Sequence, residues 1–222
     1  MPDPSSLVLV VTAPEDAPCL NATLTDTITR IVAKDAIIER RWLATGEAWE
    51  LRIVPQADGG ERLRQQAAMV LIGLPVDVNI ISEDGTPRRK RLLIADMDST
   101  IIEQECIDEI AEFAGVREKV SAVTESAMRG ELDFAEALTS RVSLLAGLEI
   151  AYLDEIIASR ISLMPGARAL VATMKAHGAH TALVSGGFTY FTDRIANAVG
   201  FDTNQANRLS ISDGRLCGTV EP

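Results

Sequence analysis

Residues that could cross-link this chain are scarce. Three cysteines in 222 residues, Cys19, Cys106 and Cys217, lie far apart and are odd in number. They fit neither a disulfide framework nor a CxxC metal spacing, so they read as buried or half-buried thiols in a reducing cytoplasm. Long hydrophobic runs are absent too. No apolar stretch approaches the roughly 20 residues of a membrane span, and "MPDPSSLVLVVTAPED" lacks the basic n-region of a signal peptide. Positive charge is in deficit: 21 Lys and Arg face 32 Asp and Glu, for a net charge of −11 and a pI near 4.7. Such a field repels nucleic acid and anionic lipid in bulk, which argues against a polyanion partner. A small anion remains acceptable where a few local cations and backbone N–H groups receive it. No internal repeat and no low-complexity segment stands out.

What is present suits a folded protein. Hydrophobic residues make up 47% and charged residues 24%, enough for one large domain or two modest ones. Residues 1–83 read as a small α+β domain. "SLVLVV" (6–11) is a strand by its β-branched run, and "NATLTDTITRIVAKD" (21–35) has helical spacing with Asn21 or Thr23 as N-cap. "AIIERRWLAT" and "AWELRIVP" flank Gly46 and Glu47 as a hairpin; "GERLRQQAAMVLIG" (60–73) is an amphipathic helix, and "VDVNIIS" (76–82) alternates like a strand. The order βαββαβ is the split-βαβ pattern of ferredoxin-like folds. Turn residues and a basic run in "SEDGTPRRKR" (82–91) mark a linker, with the boundary near Glu83.

Residues 84–222 alternate strands with helices, which argues for a Rossmann-like parallel sheet. "RLLIAD" reads as a strand buried on both faces. Helical segments then fill about 101–163, far more than one crossover needs, so most of that tract is expected to be an inserted helical cap. Pro165 and Gly166 open another helix, "AHTALV" (179–184) is a second buried strand, "SGGF" turns into the helix "TYFTDRIANAVG", and a hairpin follows around Asp213-Gly214.

Chemistry gathers at strand ends. In parallel α/β sheets ligands bind beyond the carboxyl ends of strands. Asp96 and Asp98 stand at such an end, and alternate strand residues share a side. Two carboxylates that close ionise together only beside a cation, and a hard divalent ion such as Mg2+ also suits phosphate oxygens. A solvated turn is the competing reading. A calcium loop starting at Asp96 is excluded, because Ile101 and Ile107 stand where it needs Gly and Glu. Thr100 and Glu103 fit a capping box, which makes Glu103 structural. "LVSGGF" (183–188) is either an ordinary βα turn or a phosphate site of hydroxyl and backbone N–H groups at a helix N-terminus. Leu183 excludes a nucleophile elbow, and no Gly-Lys-Ser/Thr follows to make a P-loop. With both motifs ending core strands, phosphate chemistry is the better reading. His177 and His180 sit at the opposite end of the second strand and read as turn or surface residues.

"DMDST" resembles motif I, D-x-D-x-[T/V], of the haloacid dehalogenase-like phosphatases, and "SGG" resembles their motif II. The longer strings "ADMDSTIIEQECIDEIA" and "AMRGELDFAEALTSRVSLLAGL" resemble the phosphoserine phosphatases of that superfamily, over roughly residues 91–218. The preceding domain resembles the ACT-like domain by element order alone. The resemblance implies hydrolysis of O-phospho-L-serine, in serine biosynthesis, through an aspartyl-phosphate. Asp96 would be the nucleophile; Asp98 would protonate the leaving oxygen and later deprotonate water. Mg2+ would be held by the Asp96 carboxylate and the Asp98 carbonyl, and phosphate by Ser185 and the Gly186 N–H. Glu105 would meet the ammonium and Arg141 the carboxylate, with Met128 and Phe134 lining the cap side. Closure of the cap would exclude water during transfer. A homodimer is left open.

The same resemblance places a Lys and an acidic G-D-x-x-N-D-type loop after the region matching Pro222. The chain therefore reads as truncated after motif II: a fragment of a longer phosphatase, or a degenerate protein that retains a binding shell. Either way these residues alone are expected to be weak catalysts. Two other functions compete: a superfamily phosphatase or phosphotransferase with another small ester, and an inactive amino-acid-binding regulator.

Overall fold

The computed structural model describes residues 6–58, 60–83 and 87–221. It divides into two compact units, Met1–Arg88 and Arg89–Pro222. Residues 84–86, within the expected linker, lie outside the described residues.

The first unit runs β1 (Ser6–Thr12), α1 (Ala22–Ile31), β2 (Ile37–Ala44), β3 (Ala48–Ile53), α2 (Glu61–Val70) and β4 (Asp77–Glu83). Its sheet has the order β2-β3-β1-β4 with every pair antiparallel, the split-βαβ arrangement. α1 starts where Asn21 accepts the Leu24 N–H at 3.1 Å, but it is shorter than its apolar spacing suggests and ends at Ile31. Leu7, Leu9 and Val11 of β1 form the core with Ile28, Leu51, Leu63 and Ala67. Glu50 is buried on β3 and is compensated by Arg41 at 2.6 Å and Arg88 at 2.9 Å.

The second unit opens with β5 (Leu92–Ala95) and continues with α3 (Cys106–Phe113), α4 (Arg117–Met128), α5 (Phe134–Ser143) and α6 (Ala151–Ser159), which form the cap. Then come α7 (Ala167–Ala176), β6 (His180–Phe188), α8 (Thr189–Val199), β7 (Thr203–Ser212) and β8 (Arg215–Glu221). The order is β5-β6-β7-β8. The first three strands are parallel and β8 is antiparallel to β7, so the sheet is mixed rather than wholly parallel. The β7–β8 turn is Asp213-Gly214, both at positive φ, as a tight hairpin requires.

β5 departs from its sequence pattern. It is an edge strand among the described residues, and Leu92 and Ile94 are 52% and 61% exposed. Leu93 and Ala95 turn inward with Thr181 and Leu183 of β6, where Phe188, Phe191 and Ile195 complete the core. An unbroken apolar run thus hides a strand buried on one face only.

Two local devices hold the cap. Asp133 accepts the Glu136 N–H at 2.8 Å while Glu136 accepts the Asp133 N–H at 3.1 Å, a capping box opening α5. Asp133→Ala is expected to lower stability by about 1 kcal/mol, read as a lower urea midpoint at unchanged slope. At the far end of α5, the Gly147 and Ile150 N–H groups donate to the Leu216 and Gly214 carbonyls of the β7–β8 hairpin, at 2.8 and 2.9 Å.

Candidate active site

β5 ends at Ala95, so strand alternation is not what puts Asp96 and Asp98 together. A tight loop does it. The Met97 side chain is fully buried as an anchor, and its carbonyl collects the N–H groups of Thr100, Ile101 and Ile102 at 2.9–3.2 Å. Ser99 follows in the left-handed region, at φ 52°, a conformation that stores strain in a non-glycine residue. The loop reverses the chain, so the two carboxylates reach one pocket from either side of a buried residue.

The loop also overrides the expected capping box. α3 starts only at Cys106, and Thr100 and Glu103 lie in the loop before it. Glu103 bonds instead to Ser162, through its N–H at 3.0 Å and its carboxylate at 2.7 Å. The N-cap of α3 is Glu105, which makes no side-chain cap bond; the first helical N–H, that of Cys106, goes to Asp98 Oδ1 at 3.3 Å.

The second strand end differs from expectation as well. β6 runs on through Ser185-Gly186-Gly187 to Phe188, so the glycines belong to a bulged strand that precedes α8. Their lack of side chains is a packing requirement. A Cβ on Gly186 would lie 2.9 Å from the Phe134 ring, and one on Gly187 would lie 3.1 Å from both Asp98 Oδ2 and Ser185 Oγ. Ser185 is nearly buried, and its Oγ accepts the Gly187 N–H at 2.9 Å, so its own proton is free to donate elsewhere.

From the cap, α5 presents Phe134, Leu138 and Arg141, spaced i, i+4 and i+7 on one face. The Arg141 Nε donates to the Ala137 carbonyl one turn earlier, at 3.2 Å. Glu105 accepts the Ser99 hydroxyl at 2.7 Å, which holds its carboxylate against the loop. Together Asp96, Asp98, Glu105, Arg141, Ser185 and Gly186 line one pocket of about 240 Å³. That is below the roughly 300–1,000 Å³ of drug-sized sites and suits a small metabolite. A larger pocket, about 320 Å³, lies in the first unit between the end of α1 and the start of α2. Its carboxylate, Asp58, is occupied in accepting the Gly60 and Arg62 N–H groups, so no chemistry converges there.

Electrostatics single out Asp98. Burial pushes its carboxyl up to about 6, the negative charges of Glu105 and Asp96 add to that, and the bond from Cys106 opposes it. Burial, then the charge of Asp98, raises the Cys106 thiol, which is therefore an unreactive partner. Three carboxylates and one guanidinium line this pocket. That donor set fits a divalent cation, which would relieve the crowding of Asp96 and Asp98, although no group of three or more His, Cys, Asp or Glu gathers around a metal-sized point among the described residues.

A family model for haloacid dehalogenase-like hydrolases matches residues 93–222, from within β5 through the cap and both strand-end motifs. The chain belongs to the haloacid dehalogenase-like hydrolases. It is 46% identical to the phosphoserine phosphatase of Archaeoglobus fulgidus over 165 residues, which are 74% of this chain and 46% of that one. Two solved structures superpose on 97% of the chain. One is a family hydrolase of Salmonella enterica, at TM-score 0.77 and 26% identity, with 72% of that chain covered. The other, at TM-score 0.69 and 31% identity, is a probable phosphoserine phosphatase from Vibrio cholerae, with 62% of that chain covered. Against the A. fulgidus and Streptomyces coelicolor phosphatases the chain spans 46% and 39% of their length.

One pocket of the second unit is lined by all six candidate residues but not by Met128, which is 84% exposed. Ser99 and Cys106 escaped the sequence reading. Ser99 had a signal, a hydroxyl six residues before a candidate acid; Cys106 acts through its backbone N–H, which leaves no trace in composition.

Proposed function

We propose that the chain carries the nucleophile and substrate-binding groups of a phosphoserine phosphatase. The observation that supports this best is the pairing of one acid, Glu105, with one guanidinium, Arg141, in the pocket that also holds Asp96, Asp98 and Ser185. O-phospho-L-serine presents an ammonium, a carboxylate and a phosphate, and each finds a chemically matched group. The site roles read from the resemblance carry over to these positions as parts of the same proposal.

Asp96 attacks phosphorus and the serine Oγ leaves, giving an aspartyl-phosphate. Asp98, raised to about 6, holds a proton on part of the population near neutrality and donates it to the leaving oxygen. The same carboxylate then takes a proton from water as that water attacks the aspartyl-phosphate, releasing phosphate and restoring Asp96. Ser185 donates its free hydroxyl proton to a phosphate oxygen. Mg2+, held by the Asp96 carboxylate and the Asp98 carbonyl, would offset the phosphate charge. Phe134 and Leu138 close the pocket from the cap side and limit water. The antiparallel order of the first unit supports an ACT-like domain there, and residues 84–222 would form the phosphatase portion. Serine biosynthesis in the cytoplasm completes the proposal. No helix among the described residues is long and apolar enough to cross a membrane.

Arg141 is the one cation lining the pocket among the described residues, facing three carboxylates. A polypeptide of these 222 residues is therefore expected to release phosphate from phosphoserine only slowly with Mg2+, and the residual release should vanish in Asp96→Asn. Brisk release that survives Asp96→Asn would reject Asp96 as nucleophile.

A further inference from the structure

The parallel pairing of β6 with β7 slips at the Ser-Gly-Gly bulge. Val184 faces Gln205 and Phe188 faces Asn207, so β6 advances four residues while β7 advances two. The bulged peptides fall out of register with the β7 ladder, and their carbonyls need other donors. Asn207 supplies them. Its Nδ2 donates to the Gly186 carbonyl at 2.8 Å and to the Gly187 carbonyl at 3.3 Å. Both neighbours are acceptors, so the amide must present its NH2 and not its oxygen.

The consequence crosses one peptide unit. In a planar trans peptide the carbonyl and the N–H point in opposite directions. Asn207 holds the Gly186 carbonyl, and the N–H of the same unit, that of Gly187, donates to Ser185 Oγ at 2.9 Å. Asn207 itself does not line the pocket. We infer that Asn207 is a positioning residue for the phosphate site: it fixes the Gly186–Gly187 peptide so that the Ser185 hydroxyl is oriented to donate to a phosphate oxygen. This rests on the reading of Ser185 as a phosphate ligand.

The test uses the 222-residue chain, inorganic phosphate with Mg2+ as probe, and amide hydrogen exchange at Gly187 without ligand. Asn207→Ala is expected to speed Gly187 exchange and to weaken phosphate binding by about tenfold, the effect of one hydrogen bond to a charged ligand. Asn207→Asp keeps the shape but sets a carboxylate against two carbonyls, so it should lose more; it also keeps the test open should the alanine variant fail to fold. Adding Asn207→Ala to Ser185→Ala should cost no further affinity, because both act through one hydroxyl. Unchanged Gly187 exchange in both Asn207 variants overturns the inference. So does unchanged phosphate affinity in those variants while Ser185→Ala weakens it. If Ser185→Ala itself leaves phosphate affinity intact, the reading of Ser185 as a phosphate ligand falls, and the role of Asn207 falls with it.

Discussion

Arg141→Ala is expected to weaken binding of O-phospho-L-serine by about 2–5 kcal/mol, roughly thirtyfold to several thousandfold, the cost of removing one partner of a desolvated charge pair. Arg141 shares the pocket lining with Asp96, Asp98 and Glu105, and no other cation lines the cavity among the described residues. Without it the ligand carboxylate would enter a field of three acids. O-phosphoethanolamine has the ammonium and phosphate but no carboxylate, so its affinity should fall less than about tenfold, the range of an exposed or partly screened pair. Calorimetry with both ligands in Mg2+ separates the outcomes. Equal losses would mean that Arg141 serves the phosphate or the fold, and the assignment of the carboxylate end would fail. Glu105→Gln should behave as the converse, weakening both amine-bearing ligands alike.

The Asp98→Asn variant, kept metal-free by chelator, should be more stable than the parent at pH 8, by on the order of 1–3 kcal/mol. The sign follows from proton binding. The carboxyl is raised from 3.8 to about 6 by burial in the folded chain. Below 3.8 both states hold the proton and nothing is lost. Between 3.8 and about 6 the unfolded chain releases it while the folded chain keeps it, so stability falls as pH rises; above about 6 the full cost remains. Asparagine removes that cost and can still accept the Cys106 N–H. Urea unfolding at pH 3.5 and pH 8 checks this, with the gain confined to the higher pH. A variant no more stable than the parent at pH 8 would show that Asp98 is not held above its ordinary range. The same variant should lose phosphoserine turnover, the result expected of a group whose chemistry outweighs its cost to the fold.

Much of the architecture was legible from the chain. Periodicity located the helices of the cap and both helices of the first unit, and Asn21, Gly166 and Asp213-Gly214 marked where elements start and turn. Local chemistry encodes such features: a cap or a tight turn needs particular residues within a few positions. The capping box was misplaced for the same reason seen from the other side. Thr100 and Glu103 have the right spacing, but three N–H groups on the Met97 carbonyl turn the chain before any helix begins, while Asp133 and Glu136 form the real box.

Residue types at two strand ends were enough to single out Asp96, Asp98 and the Ser185-Gly186-Gly187 stretch, whereas Glu105 and Arg141, two among many charged helix residues, were named only through the resemblance to the haloacid dehalogenase-like phosphatases. Their meeting in one pocket was not written there, since it depends on a left-handed Ser99, on α5 turning one face inward, and on a bulge in β6. Nor could the chain alone tell that Asp98 is held near 6, that Leu92 and Ile94 face outward, or that Asn207 reaches back to the glycine carbonyls. Burial and hydrogen bonding between residues distant in sequence arise only once the strands have paired, and those are the forces that set a carboxyl's proton and orient a hydroxyl.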